Sequence, residues 1–333
     1  MKLASLIRAE LTEDWYRADL ASIVGPRSPE QLETWIDELC TRELGHGVID
    51  AHFASKSVGA VFGVKLADGS RVVLKIFPST CSEAELRAIE ACLALLVADD
   101  FPAPKQLAPI FRADHNWAAF YELRPGRVLD AHQPNIRQEL ARHLADFARL
   151  TTGFPPTHLQ VAASSADTLW GQPHRITIDV TLTGGEWIDA RAEVAQRVIR
   201  AANLPIIAAH MDWSTKNALF HDDQRVSAIL DWDSLRRASE AEMVGCAAAE
   251  FTVQWPPFGS FTPSHAEATA FVREYEEARG RRFDPIEQRV INAAADYLLA
   301  QVGRATYKPG ATDDDFRRLL RETADEPLVA FTD

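Results

Sequence analysis

The sequence is short of positive charge. Its 333 residues carry 35 Lys+Arg against 48 Asp+Glu, a formal net charge of −13. No Lys/Arg-rich run is visible. Both facts argue against nucleic acid as a partner, because phosphate contacts need a basic face. They argue equally against binding to an anionic membrane surface. A surplus of acid permits a cationic partner without demanding one. Long apolar runs are missing too: no stretch approaches the ~18 uninterrupted apolar residues of a membrane span. Met1 to Glu10 carries charges and lacks the apolar stretch of roughly 7–15 residues found in a secretory signal. Cysteine is scarce, at Cys40, Cys81, Cys92 and Cys246, and no two form a CxxC pair. That disfavours a zinc knuckle or a redox dithiol. Scattered cysteines in a long chain fit buried thiols in a reducing cytosol, so a cytoplasmic location is expected. Internal repeats and low-complexity segments are absent. What is present is ordinary globular composition, 47% hydrophobic and 25% charged. It is enough to bury a large core, and a chain of this length usually divides into two lobes.

Residues 5–22 and 29–44 read as helices, the second opened by Ser28-Pro29. Residues 60–66 and 71–77 read as strands joined at Asp68-Gly69, a strong hairpin turn. A helix over 82–98 places Leu86, Ile89, Leu93 and Leu96 on one face, with Ser82 as a cap and Glu85 at the capping-box position. Two further strands, 107–111 and 117–123, precede the break Arg124-Pro125-Gly126. Beyond it the pattern is helical over about 134–150, 187–202, 240–254, 264–279 and 284–305. One strand-rich island, 204–230, interrupts it. Two lobes meeting near residues 121–126 would leave a natural cleft there.

The island carries the chemistry. An apolar strand ends in His210-Met211-Asp212, and Asn217 follows five residues after the aspartate. A strand (217–220), a polar turn and a second strand (226–230) lead to Asp231-Trp232-Asp233. Folding a hairpin about 222–225 brings Asn217 beside Asp231, since cross-strand partners sum to a constant. Asp212 lies in the loop just before. An amide oxygen and a carboxylate suit a hard cation such as Mg²⁺. A second carboxylate, off the metal, can accept a proton from an attacking hydroxyl. His210 reads as a loop-fixing hydrogen-bonder.

Segment 210–233 resembles the signature of the aminoglycoside phosphotransferases and their relatives, including choline, macrolide and maltose kinases. There the pattern is approximately HGDxxxxN, then a hairpin and IDW. Here it is His210-Met211-Asp212…Asn217 and Ile229-Leu230-Asp231-Trp232. The resemblance extends loosely over about residues 50–305. It implies an α+β, bilobal protein-kinase-like fold, with a small antiparallel-sheet N-lobe (1–123) and a mostly helical C-lobe (124–333). It implies transfer of the γ-phosphoryl group of ATP, with Mg²⁺, to a hydroxyl of a small molecule such as an antibiotic, a sugar or an amino alcohol. Asp212 would be the catalytic base. Asn217 and Asp231 would hold Mg²⁺, and Asp233 would assist directly or through water. Lys75, within Val72-Val73-Leu74-Lys75-Ile76-Phe77, is similar to the family's phosphate-binding strand lysine. Glu90 is the first choice for its carboxylate partner, by its spacing from Pro102-Ala103-Pro104, with Glu83 and Glu85 as alternatives. The linker Tyr121-Glu122-Leu123 would receive the adenine.

Departures from the family pattern are visible. The phosphate loop near 55–59 lacks GxGxxG, so contacts there would come from Ser55, Ser57 and backbone N–H groups. Met211 replaces a glycine, and Trp213 a smaller apolar residue. Ser239-Glu240-Ala241-Glu242 stands where Asp-Pro…Asp is common. Asp313-Asp314-Asp315 reads as a solvated helix start. Two rivals come from other classes: a catalytically inactive nucleotide-binding pseudokinase module, and a metal-dependent phosphohydrolase using His210 and Asp212.

Overall fold

The computed structural model describes residues 2–10, 20–56, 59–171 and 178–331. The chain divides into two compact units. One comprises Met1–Val97 and Ala103–Arg124, the other Ala98–Pro102 and Pro125–Asp333.

The first unit opens with α1 (Leu3–Glu10), a helical stretch at residues 20–24, and α2 (Pro29–Leu44). A reciprocal cap starts α2: Ser28 Oγ accepts from the Gln31 N–H at 3.2 Å, and the Gln31 side chain accepts from the Ser28 N–H at 2.8 Å. The middle of the helix expected over 5–22 lies outside the described residues. Next come β1 (Val48–Lys56), β2 (Ala60–Leu66), β3 (Arg71–Ile76), α3 (Glu83–Ala98), β4 (Phe111–Ala113) and β5 (Asn116–Glu122). The five strands form one antiparallel sheet in the order β1-β2-β3-β5-β4. Alternation along β2 and β3 puts Phe62, Val64, Val72 and Leu74 into a core. It is completed by Leu32, Trp35, Ile36 and Leu39 of α2. The strand expected over 107–111 begins only at Phe111. Before it, Gln106 makes a single bridge to Tyr121.

The second unit is mainly helical: α4 (Pro134–Leu150), α5 (Glu186–Ala202), α6 (Glu240–Glu250), α7 (His265–Arg279), α8 (Pro285–Ala305) and α9 (Asp315–Glu322). Asp314 caps α9 by accepting from the Arg317 N–H at 2.9 Å, so the acidic run does open a helix. Between α5 and α6 lie β6 (Ile206–His210), β7 (Ala218–Phe220), β8 (Val226–Ile229) and β9 (Leu235–Ser239). β6 pairs with β9, and β7 with β8, both antiparallel. All four cysteines are buried free thiols. Among the described residues, no helix is long and apolar enough to cross a membrane.

Candidate active site

The first unit carries the nucleotide-side candidates. Lys75 sits in mid-sheet on β3, opposite Val61 on one side and Ala119 on the other. Lys75 and Glu85 are the two charged side chains buried in this unit among its described residues, at 9% and 3% exposure. Glu85 lies in the first turn of α3, its N–H donating to Ser82 Oγ at 3.1 Å. Its position, four residues before Ile89, seven before Cys92 and eleven before Leu96, puts it on the buried stripe of that helix. That periodicity was the sequence signal for preferring Glu85.

Glu90 carries other contacts than those expected of it. Its Oε1 accepts from Gln106 Nε2 at 2.6 Å and from the Ile110 N–H at 3.1 Å, and its Oε2 accepts from Arg87 at 2.9 Å. Spacing to a proline marks position along the chain, not which helix face is buried. In the linker, the Glu122 N–H donates to Lys105 O at 2.9 Å and the Leu123 N–H to Arg71 O at 3.1 Å. Those two donors are spent inside the unit. Tyr121, half-buried, pairs with Val73. Ser55 is exposed on β1 opposite Val61. Ser57 lies outside the described residues. Gly59 is fixed by packing: a Cβ there would stand 2.2 Å from the Ile76 carbonyl oxygen, so this position can lie against the end of β3 only as glycine.

The second unit carries the 210–234 constellation. His210 ends β6 at 1% exposure. Its Nε2–H donates to Leu230 O at 3.1 Å, and its Nδ1 accepts from the Asp212 N–H at 3.4 Å. One imidazole therefore ties the loop at Asp212 to the end of β8. Trp213 and Trp232 meet its ring edge-on at 5.3 and 5.2 Å. Burial is the main reason its pKa falls to about 4, so it is neutral and acts as the loop-fixer that its position suggested. Trp213 explains its own departure from the family pattern. It is 2% exposed, stacks on Phe147 at 6.2 Å and donates from Nε1 to Leu140 O at 3.1 Å, so the indole fills the floor of the loop.

Asn217 Nδ2 donates to the Asp212 carbonyl at 2.8 Å, closing the five-residue loop and leaving the amide oxygen as the donor atom for a cation. The register differs by one from the expected pairing. β7 and β8 pair Ala218 with Ile229, and the Leu230 N–H donates to Asn217 O at 2.7 Å. Asp231 is thus the next residue out, and it adopts left-handed backbone (φ 62°, ψ 45°). Such a conformation in a non-glycine residue costs energy and recurs at functional positions. Asp233 is buried, at 4% exposure, and its negative charge acts on His210. Gly126 lets the chain lie against this hairpin: a Cβ would come within 2.9 Å of Leu219 Cβ, and Arg127 exchanges hydrogen bonds with Phe220 at 3.0 and 2.8 Å.

Two residues escaped the sequence reading. Lys216 Nζ lies 2.8 Å from Asp212 Oδ1. Burial pushes the Asp212 carboxyl up, but the Lys216 charge and hydrogen bonds pull harder, and the net direction is down. Glu250 ends α6 at 7% exposure, and burial followed by the nearby Asp212 charge drives its carboxyl well above the usual range. The Lys216 signal was its spacing, four residues after Asp212 in a tight loop. The Glu250 signal was an acid closing the apolar run Gly245-Cys246-Ala247-Ala248-Ala249.

Three solved structures show the fold that these parts belong to. An amicoumacin kinase in complex with AMP-PNP, Ca²⁺ and Ami has 12% identity and a TM-score of 0.61, over 91% of this chain and 98% of that one. An ethanolamine kinase of Plasmodium vivax has 14% identity and a TM-score of 0.57, over 97% and 96%. An aminoglycoside phosphotransferase of Alicyclobacillus acidocaldarius has 15% identity and a TM-score of 0.52, over 84% and 88%. At these identities the likeness establishes the protein-kinase-like α+β fold. No curated protein sequence matches the chain. The sequence profile of the phosphotransferase enzyme family matches residues 53–299, well over half the length. The chain therefore belongs to the phosphotransferase enzyme family.

Proposed function

We propose that the protein is a cytoplasmic kinase that uses ATP with Mg²⁺ and phosphorylates a hydroxyl group of a small molecule. The observation that carries this reading is the convergence around one loop. Asp212 and Asn217 are joined by a hydrogen bond, and Asp231 stands at the open end of the adjoining hairpin. Asn217 Oδ1 and the Asp231 carboxylate fit Mg²⁺, because both are hard oxygen donors that leave coordination positions for phosphate oxygens. Asp233, being buried, would support Asp231 from behind. The bound ion would supply charge neutralisation on the phosphates.

The chain's own residues account for the rest. Asp212 orients the acceptor hydroxyl and takes its proton. The hydroxyl oxygen bonds to the γ-phosphorus, the bond to the β-phosphate oxygen breaks, and ADP leaves with that electron pair. Lys75 would meet the phosphates, and its partner in this reading is Glu85. Two opposite charges buried in one small unit avoid a large desolvation cost only by pairing. Ser55 and the adjoining backbone would cover the phosphates, and the linker 121–123 would meet the adenine with its carbonyl groups.

The relatives act on, or are named for, amicoumacin, ethanolamine and aminoglycosides. Antibiotics, sugars and amino alcohols are accordingly the acceptors to try. ADP release measured across such a panel should identify at least one acceptor, and Asp212→Asn should lower its turnover by about 10²- to 10⁴-fold with ATP binding retained. An Asp212→Asn variant with full turnover would sink the mechanism. ATP-Mg²⁺ binding without any phosphorylation would mark a nucleotide-binding module instead.

A further inference from the structure

Lys216 is the cation nearest the proposed base. It sits on the single turn Thr215–Asn217, and that turn is fastened from outside. The Thr215 N–H donates to Phe251 O at 2.9 Å, and the Lys216 N–H to Val253 O at 3.2 Å. The segment it is fastened to begins at Glu250, whose carbonyl accepts from the Val253 N–H at 2.9 Å. The Glu250 carboxyl accepts a backbone hydrogen bond from Trp213, while its Oε1 is buried with no hydrogen-bond partner. A buried, half-satisfied carboxyl is costly, and it persists where the surroundings gain something from it. Here it stands at the head of the segment that holds the Lys216 backbone. The Lys216 ammonium is directed at one atom, Asp212 Oδ1, at 2.8 Å. Ser214 Oγ addresses the same oxygen at 3.5 Å.

We infer that Lys216, seated by the backbone of residues 251–253, is a positioning residue for Asp212: it fixes the carboxylate through Oδ1, so that Oδ2 is presented to the incoming hydroxyl. A carboxylate on a rotatable bond loses catalytic power when misplaced, and a misplacement of about 1 Å can cost ~10²-fold. The inference rests on Asp212 being the base, and its test separates the two ideas.

The probe is ATP with Mg²⁺ and water as acceptor, with turnover and KM for ATP read separately and thermal unfolding used to check the fold. Lys216→Met should lower kcat by about tenfold to a hundredfold, with KM for ATP nearly unchanged. Lys216→Arg should restore most of the loss, and Lys216→Gln should fall between. The double variant Asp212→Asn/Lys216→Met should be no slower than Asp212→Asn alone, because a residue acting through Asp212 has nothing left to position. An inactive Asp212→Asn beside fully active Lys216→Met and Lys216→Gln overturns the inference and leaves the base assignment standing. A loss confined to KM, or additive losses in the double variant, overturns it as well. An Asp212→Asn variant as fast as the wild type, or a wild type that binds ATP-Mg²⁺ without turnover, removes both ideas together.

Discussion

The two units hold their candidate charges in different ways. In the first, Lys75 belongs to a regular lattice. It is one residue of an antiparallel strand with hydrogen-bonded neighbours on both sides, and Glu85 is one residue of a regular helix. In the second, almost nothing that matters is regular. Asp212, Lys216 and Asn217 lie on a loop and a single turn, and Asp231 is in left-handed backbone. Order there comes from outside the segment: from Leu230, Leu140, Phe251 and Val253, all distant in sequence. A lattice position tolerates change in its neighbours but not loss of its charge partner. A pinned loop should behave in the opposite way, failing when its pins are removed while each charge remains correct.

The largest expected effect tests the lattice side. Removing one partner of a buried ion pair leaves the other charge uncompensated, at a cost of about 3–5 kcal/mol. On the pairing proposed for Lys75 and Glu85, Glu85→Gln should therefore lower stability by an amount in that range and raise KM for ATP. Glu90→Gln removes a carboxylate held by Arg87, Gln106 and the Ile110 N–H, and should leave KM for ATP unchanged. Urea unfolding with ATP kinetics on both variants decides it. Equal kinetic effects from the two would dissolve the distinction drawn between them.

Next comes the floor of the loop. Trp213→Ala deletes a fully buried indole that stacks on Phe147 and donates to Leu140. The expected cost is about 3–5 kcal/mol of stability. Turnover should drop further than in a variant of equal stability cost elsewhere, because Asp212 is the adjacent residue. Matched turnover in two such equally destabilised proteins would show that the loop does not depend on its pins.

The same contrast explains what could be read in the sequence. Regular parts announce themselves locally: Ser28-Pro29 before a helix, Asp68-Gly69 between strands, acids before α9. The motif around Asp212 was legible because its spacing reflects one fixed loop. β9 was missed because Leu235–Ser239 pairs with β6, some 25 residues away, and has no local marker beyond a short mixed run. Counted from Phe220 and Val226 at the turn end, an unbroken ladder would set Asn217 opposite Ile229; the irregularity between Leu219 and Phe220, which no count of turn residues predicts, moves its partner to Leu230. Glu250 acquires its significance only from the packing that brings the end of α6 against residues 213–216.

The smallest effect concerns His210 and depends on pH. Its native pKa of about 4 lies below the ordinary 6.5, so between these values the unfolded chain binds a proton that the native protein does not. The His210 contribution to stability must then rise with pH across that window and fall as pH drops, because proton uptake pulls the equilibrium toward the unfolded state. The full separation corresponds to about 3 kcal/mol, and roughly 2 kcal/mol of it should be lost between pH 7 and pH 5. Carboxylates with lowered native pKa values, such as Asp313, push in the same direction but act mainly at lower pH, whereas the raised carboxyls of Glu250 and Glu242 push the opposite way, so the comparison is between two proteins that share them. His210→Gln keeps a side-chain N–H that can reach Leu230 O and has no proton to take up. It should be less stable than the wild type at pH 7, yet lose about 2 kcal/mol less on going to pH 5. Identical pH slopes in the two proteins would mean that the imidazole is not held neutral. In that case the tie between Asp212 and Leu230 would have to rest on the backbone and the two indoles alone.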